Sequence, residues 1–338
     1  MRYLIIAPQG LGDSLEATPM IAALRDYAPG AKIDVIVLRS SSKELFQGLS
    51  PMVDEVIYLR YWEAGRAAFI RDLLQARRHR QYDASFLCYP AARFEYQILS
   101  AAFRARRRYS HQYSGNGRLF RLLFRQVGVA IGPEHNVLRN MGLLKAAGLP
   151  FSEPVGYTVP GNWKSGRAVE RRIAFHAGSI NHDAFALKRW PEQSFADLAR
   201  RWKNRGYEIW FVAGPDERIA SIALADAVGA KVFEGSLPEL AHFLRTCKLM
   251  VANDTGVAHL AAGLGTPVVA LFGPTPIEGG PYGPRTLRLR PSTCPPCFTP
   301  ELGIPECPKK LNFACLRESL SLDYVDAALR VFNDQLEG

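Results

Sequence analysis

The second half of the chain carries residues suited to holding a phosphate. Leu249–Ala252 has the composition of a buried strand, and Asp254, Thr255 and Gly256 follow it at the start of an apolar helix, 257–264. Free backbone N–H groups at a helix start, together with the helix dipole, attract an anion. We therefore predict a phosphate pocket at Thr255 and Gly256.

Two more loops of this half favour the same chemistry. Gly178 and Ser179 follow the predicted strand Arg172–His176 in a loop of small residues, where backbone N–H groups can approach an anion closely. Lys188 places a cation just before a helix that starts at Pro191. Because these loops follow strands of one sheet, we expect them to converge on one crevice. His259, one turn into its helix, either contacts the phosphate or orients the loop, or it is an ordinary core histidine.

The first glycine-rich turn, Gly10-Leu11-Gly12-Asp13, follows a predicted strand. It lacks the third glycine of a dinucleotide fingerprint, because Leu15 stands there, and no GxxxxGK[ST] phosphate loop occurs in the chain. A nicotinamide oxidoreductase is therefore disfavoured, since Asp13 would also repel a pyrophosphate. The Asp13 carboxylate either caps the turn or faces the crevice.

Four of the six cysteines lie within 22 residues, at Cys294, Cys297, Cys307 and Cys315. Disulfides are disfavoured in the cytoplasm, so clustered thiols there favour a metal, and four thiolates suit tetrahedral Zn or Fe. The spacing is not that of a standard zinc ribbon. We predict one structural metal, with ordinary or redox-labile thiols as the alternative.

Residues 60–125 hold 14 arginines, no lysine and four acids, and this segment accounts for the whole net charge of +10. Such a segment is either a solvated helical face or a surface for an anionic partner, namely phosphorylated lipid, membrane headgroups or nucleic acid. Arginine binds phosphate bidentately, which favours phosphate-bearing partners.

The elements that must position these residues alternate as strand and helix, which is typical of doubly wound parallel sheets. In the first half we predict strands at 2–7, 32–38, 55–59 and 84–88, and helices at 18–27 and 42–48, the first with Thr18 as N-cap and Pro19 at its first position. In the second half we predict strands at 172–176, 208–213, 231–233, 249–252 and 267–272, and helices near 191–204, 217–228, 237–245 and 257–264, with a last helix at 322–335. A linker rich in proline and glycine, 149–166, separates the halves.

Composition excludes several classes of protein. The chain has 338 residues, of which 48% are hydrophobic and 22% charged, so a disordered, collagenous or disulfide-stapled protein is excluded. No apolar run is long enough to span a bilayer, and the N-terminus lacks the pattern of a signal peptide. We expect a cytoplasmic protein.

The motifs that carry a family resemblance are Gly10-x-Gly12-Asp13 with Thr18-Pro19, Lys188-x-Trp190-Pro191, Asp254-Thr255-Gly256-x-x-His259, and Gly265-Thr266-Pro267 with Phe272-Gly273-Pro274-Thr275. In this combination and order the chain resembles glycosyltransferase family 9, the ADP-heptose-dependent heptosyltransferases of lipopolysaccharide core assembly and their relatives. The resemblance covers nearly the whole chain and is weakest across 60–170. It implies the GT-B fold, in which two Rossmann-like doubly wound α/β domains face a cleft, inversion at the anomeric carbon, and no metal or cofactor for catalysis.

The resemblance also implies a domain plan and a role for each site residue. Residues 1–155 would bind the acceptor, 166–320 the nucleotide sugar, and 321–338 would form a helix that packs back toward the N-terminal domain. Asp13 would be the general base, Lys188 would stabilise the departing ADP, and Glu217, or Asp216 in a looser register, would hold the ribose diol. The implied donor-binding set is Gly12, Gly178, Ser179, Lys188, Glu217, Asp254, Thr255, Gly256 and His259.

The resemblance thus implies an inverting transferase that moves heptose from ADP-heptose to an acceptor hydroxyl. The acceptor is an anionic glycolipid, a protein or a small molecule; a lipid acceptor would bring the Arg-rich segment 60–125 to the inner face of the inner membrane. A family member that uses another nucleotide sugar is the first alternative. A basic, metal-containing nucleic-acid-binding protein is the second, and it is disfavoured because the segment lacks interleaved base-stacking residues.

Overall fold

A computed structural model describes residues 1–337 except 78–79, 114–121, 123–124, 168, 179–188, 215–216, 292–293, 299–306, 308 and 311–313. The chain divides into two compact units, 1–162 and 163–338, and the division falls within the predicted linker. Each unit is built on one parallel sheet with helices between its strands. The predicted α/β class, with two Rossmann-like doubly wound units, is confirmed.

The first unit contains a six-stranded parallel sheet in the order β3-β2-β1-β4-β5-β6. Its strands are β1 (Arg2–Ala7), β2 (Lys32–Val37), β3 (Glu55–Tyr58), β4 (Gln81–Leu87), β5 (Arg104–His111) and β6 (Gln126–Val129). Its helices include α1 (Leu11–Tyr27), α2 (Ser40–Gly48), α3 (Gly65–Ala76), α4 (Phe94–Ala102) and α5 (Asn136–Ala146). Helices cover both faces of the sheet, so its central strands are continuously apolar rather than alternating.

Two apolar clusters, one on each face, hold the helices of this unit against the sheet. On one face Met20 and Leu24 of α1 and Leu144 of α5 pack with alternate residues of β1 and β2. On the other face Leu73 of α3 and Leu99 of α4 pack over the remaining residues of the same strands. The carboxyl ends of the strands are left free to carry the loops that bear polar residues.

The second unit has the sheet order β12-β11-β10-β7-β8-β9. Its strands are β7 (Val169–His176), β8 (Glu208–Val212), β9 (Lys231–Phe233), β10 (Cys247–Asn253), β11 (Val268–Leu271) and β12 (Thr286–Leu289). Its helices include α6 (Glu192–Asn204), α7 (Arg218–Val228), α8 (Leu237–Arg245), α9 (Gly256–Gly263), α10 (Ala314–Arg317) and α11 (Leu322–Gln335). Ser236 and Glu239 form a capping box that fixes the start of α8.

The prediction that the first helix starts at Thr18 is wrong: α1 begins at Leu11 and runs through Pro19. Proline cannot donate the hydrogen bond that Leu15 O would receive in a regular helix. The Thr18 hydroxyl donates to Leu15 O instead, at 2.8 Å, and it also accepts a hydrogen bond from the backbone N–H of Thr158 at 2.9 Å. Thr18 therefore supplies, inside the helix, the hydrogen bond that Pro19 cannot donate. The sequence pattern alone does not distinguish this role from that of an N-cap.

Helix α11 occupies the predicted range 322–335. Its buried side chains Val325, Leu329 and Phe332 join the apolar cluster of the second unit, and the Asp326 carboxylate accepts a hydrogen bond from Trp202 Nε1 at 2.9 Å. These contacts account for its burial, and packing toward the first unit stays a prediction. No helix in the described ranges is both long enough and apolar enough to cross a membrane.

Candidate active site

In the second unit the strand order reverses between β7 and β10, so the loops that follow these two strands diverge to opposite faces of the sheet. Ligands of open α/β sheets bind in the crevice at such a point, beyond the carboxyl ends of the strands. Gly178 lies in the loop after β7, and Asp254, Thr255 and Gly256 follow β10. Four residues predicted from the sequence therefore meet at one edge of one sheet.

Asn253, the last residue of β10, ties this edge together and was not identified from the sequence. Its buried side-chain Nδ2 donates to Ala177 O at 2.7 Å, and its Oδ1 accepts from the backbone N–H of Trp190 at 2.9 Å. Trp190 is itself fully buried, and its indole N–H donates to Leu320 O at 2.7 Å. One amide thus fixes the loop after β7 and the residue that precedes helix α6.

Glu217 stands directly against the loop after β7. Its Oε2 lies 3.6 Å from His176 Nε2, and the side chain is largely buried. A β-carbon added to Gly178 would come within 2.0 Å of the Glu217 carboxyl group. The glycine is therefore required for the carboxylate to occupy this position at the edge of the sheet, where an acid can accept hydrogen bonds from a diol.

Two buried hydroxyls at this edge have no hydrogen-bond partner among the described residues. Thr255 Oγ1 lies at the N-cap of α9 but does not cap it, and Thr275 Oγ1 lies in the loop after β11. A buried hydroxyl without a partner costs stability unless a water or ligand supplies one. Together with the N-terminus of α9, the two hydroxyls can supply hydrogen bonds to an oxyanion.

His259 is buried in α9. Burial lowers its pKa to about 4, against a smaller raising effect of Asp254 and a further lowering by Arg288. The imidazole is therefore neutral at physiological pH and adds no positive charge to an anion site. Its place beside Asp254 fits an orienting role better than a direct electrostatic one.

In the first unit the strand order reverses between β1 and β4, and Asp13 follows β1 in the first turn of α1. The N-cap is Gly10, so the Asp13 side chain is not the capping group. The Gln9 side chain crosses the reversal point and donates from Nε2 to Pro90 O, after β4, at 3.0 Å. The Asp13 carboxylate therefore stands at the equivalent crevice of the first sheet.

The first turns of α1 are anchored by a buried carboxylate that the sequence analysis did not select. Glu16 is 1% exposed, and both of its carboxylate oxygens accept from Asn136 Nδ2, at 3.2 and 3.1 Å. Asn140 Nδ2 donates to Glu16 O at 3.3 Å, and Asn140 Oδ1 accepts from the backbone N–H of Tyr89 at 2.8 Å. Helix α5 thereby fixes the helix that carries Asp13 to the loop after β4.

A cation–aromatic stack stands at the same edge of the first sheet. The guanidinium groups of Arg39 and Arg93 lie 4.6 and 5.5 Å from the Trp62 ring centroid. Burial raises the pKa of Tyr96, Arg93 and Arg39 oppose this rise, and Asp13 adds to it. Arg93 also lies 5.9 Å from the Tyr96 ring centroid, and the Tyr96 hydroxyl donates to Gln9 Oε1 at 3.4 Å.

The described arginines of the Arg-rich segment 60–125 do not share a single basic face. Arg60 binds Asp72, and Arg80 binds Glu55 in a bidentate pair. Arg108 is turned inward and donates to Phe103 O at 2.8 Å. Arginines at the amino end of β5 lie at the opposite edge of the sheet from Arg93. The net charge of the segment can be counted from the sequence, but the sequence does not show which of its arginines share a surface.

Comparison with known proteins decides the family. The family model of glycosyltransferase family 9 (heptosyltransferase) matches residues 70–302. The chain belongs to this family. The predicted resemblance is confirmed, and this glycosyltransferase family 9 chain is an enzyme that transfers a sugar.

The chain is also similar to curated proteins that are named lipopolysaccharide heptosyltransferases. Lipopolysaccharide heptosyltransferase 1 of Escherichia coli O18:K1:H7 is 25% identical over 312 residues, which is 86% of this chain and 91% of the relative. Lipopolysaccharide heptosyltransferase 1 of Pseudomonas aeruginosa is 35% identical over 124 residues, and that match spans only 35% of either chain.

Solved structures of the family share the two-unit fold. The glycosyl transferase family 9 protein of Veillonella parvula has a TM-score of 0.78 at 22% identity, with 99% of this chain and 97% of that chain covered. Escherichia coli heptosyltransferase WaaC, solved with ADP, has a TM-score of 0.72 at 21% identity, with 98% and 100% covered.

The cysteine set of this glycosyltransferase lies in one neighbourhood. Burial raises the pKa values of Cys297 and Cys315, and the other thiols of the set, including Cys294 and Cys307, add to both increases. The backbone N–H of Cys297 donates to Pro274 O at 3.0 Å, so the segment packs on the loop after β11 rather than away from the site. Among the described residues, no group of three or more potential ligands is arranged to hold a metal.

Two predicted site residues, Ser179 and Lys188, lie outside the described residues, as does Asp216. Gly12 lies in the first turn of α1 beside Asp13, in the first unit. The described donor-binding residues Gly178, Glu217, Asp254, Thr255, Gly256 and His259 all belong to the second unit.

Proposed function

We propose that this glycosyltransferase moves a heptose from ADP-heptose to an acceptor hydroxyl, with inversion at the anomeric carbon and Asp13 as the general base. The observation that carries the proposal is the chemistry of the two strand-reversal points. One presents a carboxylate at a helix start, and the other presents, beside a second helix start, two buried hydroxyls that have no hydrogen-bond partner within the described part of the chain. A base and an anion site are what sugar transfer from a nucleotide donor requires.

In the donor half, the α9 N-terminus and the hydroxyls of Thr255 and Thr275 would receive the diphosphate, and Glu217 would accept hydrogen bonds from the ribose diol. Asp254 would bind hydroxyls of the sugar. Neutral His259 would orient this loop. Lys188 would lie beside the leaving group and offset its growing charge, so Lys188→Ala should weaken ADP binding and slow transfer together.

In the acceptor half, Asp13 would take the proton of the attacking hydroxyl. As the bond from that oxygen to the anomeric carbon forms, the bond from this carbon to the phosphate oxygen breaks, and ADP leaves with the electron pair. One displacement inverts the configuration and needs no covalent sugar–enzyme intermediate. No metal or other cofactor is required for this chemistry.

We further propose an anionic glycolipid of lipopolysaccharide core assembly as the acceptor, at the inner face of the inner membrane. Named relatives that act in lipopolysaccharide biosynthesis support this choice. Arg39 and Arg93, stacked on Trp62 near Asp13, are suited to the acidic groups of such a head. A protein acceptor or a small-molecule acceptor would depend less on the positive charge of these two arginines.

A structural Fe or Zn at the four clustered cysteines is retained as a separate proposal that is independent of catalysis. The spacing of four cysteines within 22 residues supports it, and the described side-chain arrangement does not. If bound, the metal would brace the segment that packs on Pro274. It would take no part in transfer.

A screen of nucleotide sugars tests the proposed donor. ADP-heptose should raise the Tm and turn over, with ADP released, whereas ADP-glucose, UDP-glucose and GDP-mannose should do so weakly or not at all. Stabilisation by one of the other sugars, with turnover, would identify a family member with a different donor. Salt-sensitive retention on DNA or RNA without any response to nucleotide sugars would favour nucleic-acid binding instead.

A further inference from the structure

Helix α3 of the first unit is apolar on two sides. Phe69 and Leu73 pack inward on the cluster that covers the sheet. Ile70 and Leu74, one turn apart and about 100° round the helix from this pair, are 54% and 44% exposed. A surface helix normally exposes polar side chains, rather than large apolar ones, to solvent. A second apolar stripe therefore faces outward from α3.

Helix α4 extends the same surface. Phe94 and Ile98, also one turn apart, are 58% and 42% exposed. A narrow apolar recess lined by Phe69, Tyr96 and Leu99 separates the two helices, so they are neighbours on one face of the sheet. We call Trp62, Ile70, Leu74, Phe94 and Ile98 the α3–α4 face.

The charges around the α3–α4 face are mainly positive. Arg71 and Arg77 are exposed along α3, and Arg93 is exposed where α4 begins. The acid of α3, Asp72, is largely buried against Arg60, whereas Glu95 of α4 is exposed. Arginine can lay its stem along apolar surface while its charged end meets phosphate.

We propose that the α3–α4 face docks on an anionic lipid surface. A helix that lies at a bilayer interface presents large apolar side chains surrounded by arginines. The apolar side chains enter the headgroup boundary, and the arginines bind acidic lipids. Trp62 belongs to this face, and Arg93, stacked on Trp62, connects it with the edge that carries Asp13. A docked unit would therefore hold its acceptor crevice next to lipid headgroups. The inference rests on the proposed lipid acceptor, but its test does not require transfer.

Flotation with phosphatidylcholine vesicles, with and without phosphatidylglycerol, tests the proposal on the full chain without donor or acceptor. The wild type should float with the anionic vesicles and remain behind with neutral ones. Ile70→Ser/Leu74→Ser should lower the partition at least tenfold. The matched control, Ile219→Ser/Val331→Ser, replaces apolar residues that are 84% and 59% exposed on the second unit and should bind as the wild type does.

A charge pair separates headgroup attraction from insertion. Arg71→Gln/Arg77→Gln should weaken binding to anionic vesicles several-fold, and added salt should remove this difference. Arg106→Gln is the control, because Arg106 is exposed at the opposite edge of the sheet. Because all of these positions are exposed, each variant should fold as the wild type does, and melting curves check this.

Three results would overturn the proposal: no binding of the wild type to anionic vesicles, full binding by the apolar double variant, or a wild-type dimer in sedimentation that this variant dissociates. Such a dimer would show that the α3–α4 face is an interface between two copies of this chain. Vesicle binding with no turnover of any nucleotide sugar would count against the proposed function and leave the docking surface intact.

Discussion

Asn253 and Trp190 are joined by a 2.9 Å hydrogen bond in which the Trp190 backbone N–H donates to the side-chain Oδ1 of Asn253. The same amide donates to Ala177 O at 2.7 Å, so one buried side chain connects the end of β10 with two other segments of the second unit. The loop predicted to border the donor diphosphate is thus held by a residue that precedes the Asp254 turn and points into the protein rather than toward a ligand.

The substitution Asn253→Asp tests this connection. A carboxylate keeps the acceptor for Trp190 but cannot donate to Ala177 O, and it introduces a buried charge. We expect a loss of about 1–3 kcal/mol in the free energy of unfolding, measured by urea denaturation, and weaker ADP binding. Asn204→Asp, at an exposed position near the end of α6, is the control and should change neither quantity. Wild-type stability in Asn253→Asp would contradict the role assigned to the amide.

The contact between Gly178 and Glu217 gives a second prediction. In Gly178→Ala the new β-carbon would meet the Glu217 carboxyl group, which must move because the side chain yields more easily than the backbone. If Glu217 holds the donor ribose, the Kd for ADP should rise by about tenfold or more, the loss of one charge-assisted hydrogen bond. Calorimetric titration measures it. Gly156→Ala, where nothing lies near the added carbon, is the control, and an unchanged Kd in Gly178→Ala would remove Glu217 from the site.

Asp13→Asn tests the general base. The amide preserves shape but cannot take a proton, so kcat for transfer should fall by roughly 10²–10⁴ while the Kd for ADP stays at the wild-type value. Asp26→Asn, at an exposed position near the end of the same helix, is the control. A variant whose rate lies within about tenfold of the wild type would show that another group accepts the proton.

Two buried histidines predict a loss of stability in mild acid. Burial lowers the pKa values of both His111 and His259 to about 4, below the ordinary value near 6.5. The unfolded chain therefore binds more protons between these pH values, and the stability that depends on neutral imidazoles is complete above about pH 6.5 and is lost as the pH falls toward 4.

Denaturation midpoints measured between pH 7 and pH 4 should therefore fall. Glutamine does not titrate in this range. The denaturation midpoint of His259→Gln should therefore fall less between pH 7 and pH 4 than that of the wild type. The wild type is the comparison, and an identical slope in the two proteins would contradict the lowered pKa of His259.

The cysteine set predicts a metal content that elemental analysis can measure. Untagged protein prepared without oxygen should contain about one Fe or Zn per chain, the occupancy expected for one tetrathiolate site. Cys297→Ser/Cys307→Ser should lose the metal and melt at a lower temperature, yet bind ADP as before. Cys88→Ser is the control for loss of a buried thiol, since Cys88 lies apart in the core of the first unit. A metal content far below one, with normal stability, would show that the cysteines are ordinary thiols.

The sequence by itself determined the fold class, the family and the loops that carry the candidate site. Strands such as β1 are buried on both faces of the sheet and can therefore be recognised as continuous apolar runs. The Asp254-Thr255-Gly256 turn can be recognised because its three residues are adjacent in sequence. Segments dominated by charge were missed. Strand β5, with four arginines in its first five residues, is held by pairing with β4 and β6 and by the burial of its carboxyl end, which no local pattern contains.

Only the tertiary structure decided which groups share an environment. The Glu16 carboxylate meets Asn136, 120 residues away, and Asn253 meets Ala177, 76 residues away, because parallel strands bring distant loops to one edge. The same packing separated arginines that are neighbours in sequence and turned some of them inward. It also made the Thr18–Pro19 pair a helix interior. Sequence spacing fixes which chemistry is available, but burial and strand order fix which partners each group finds.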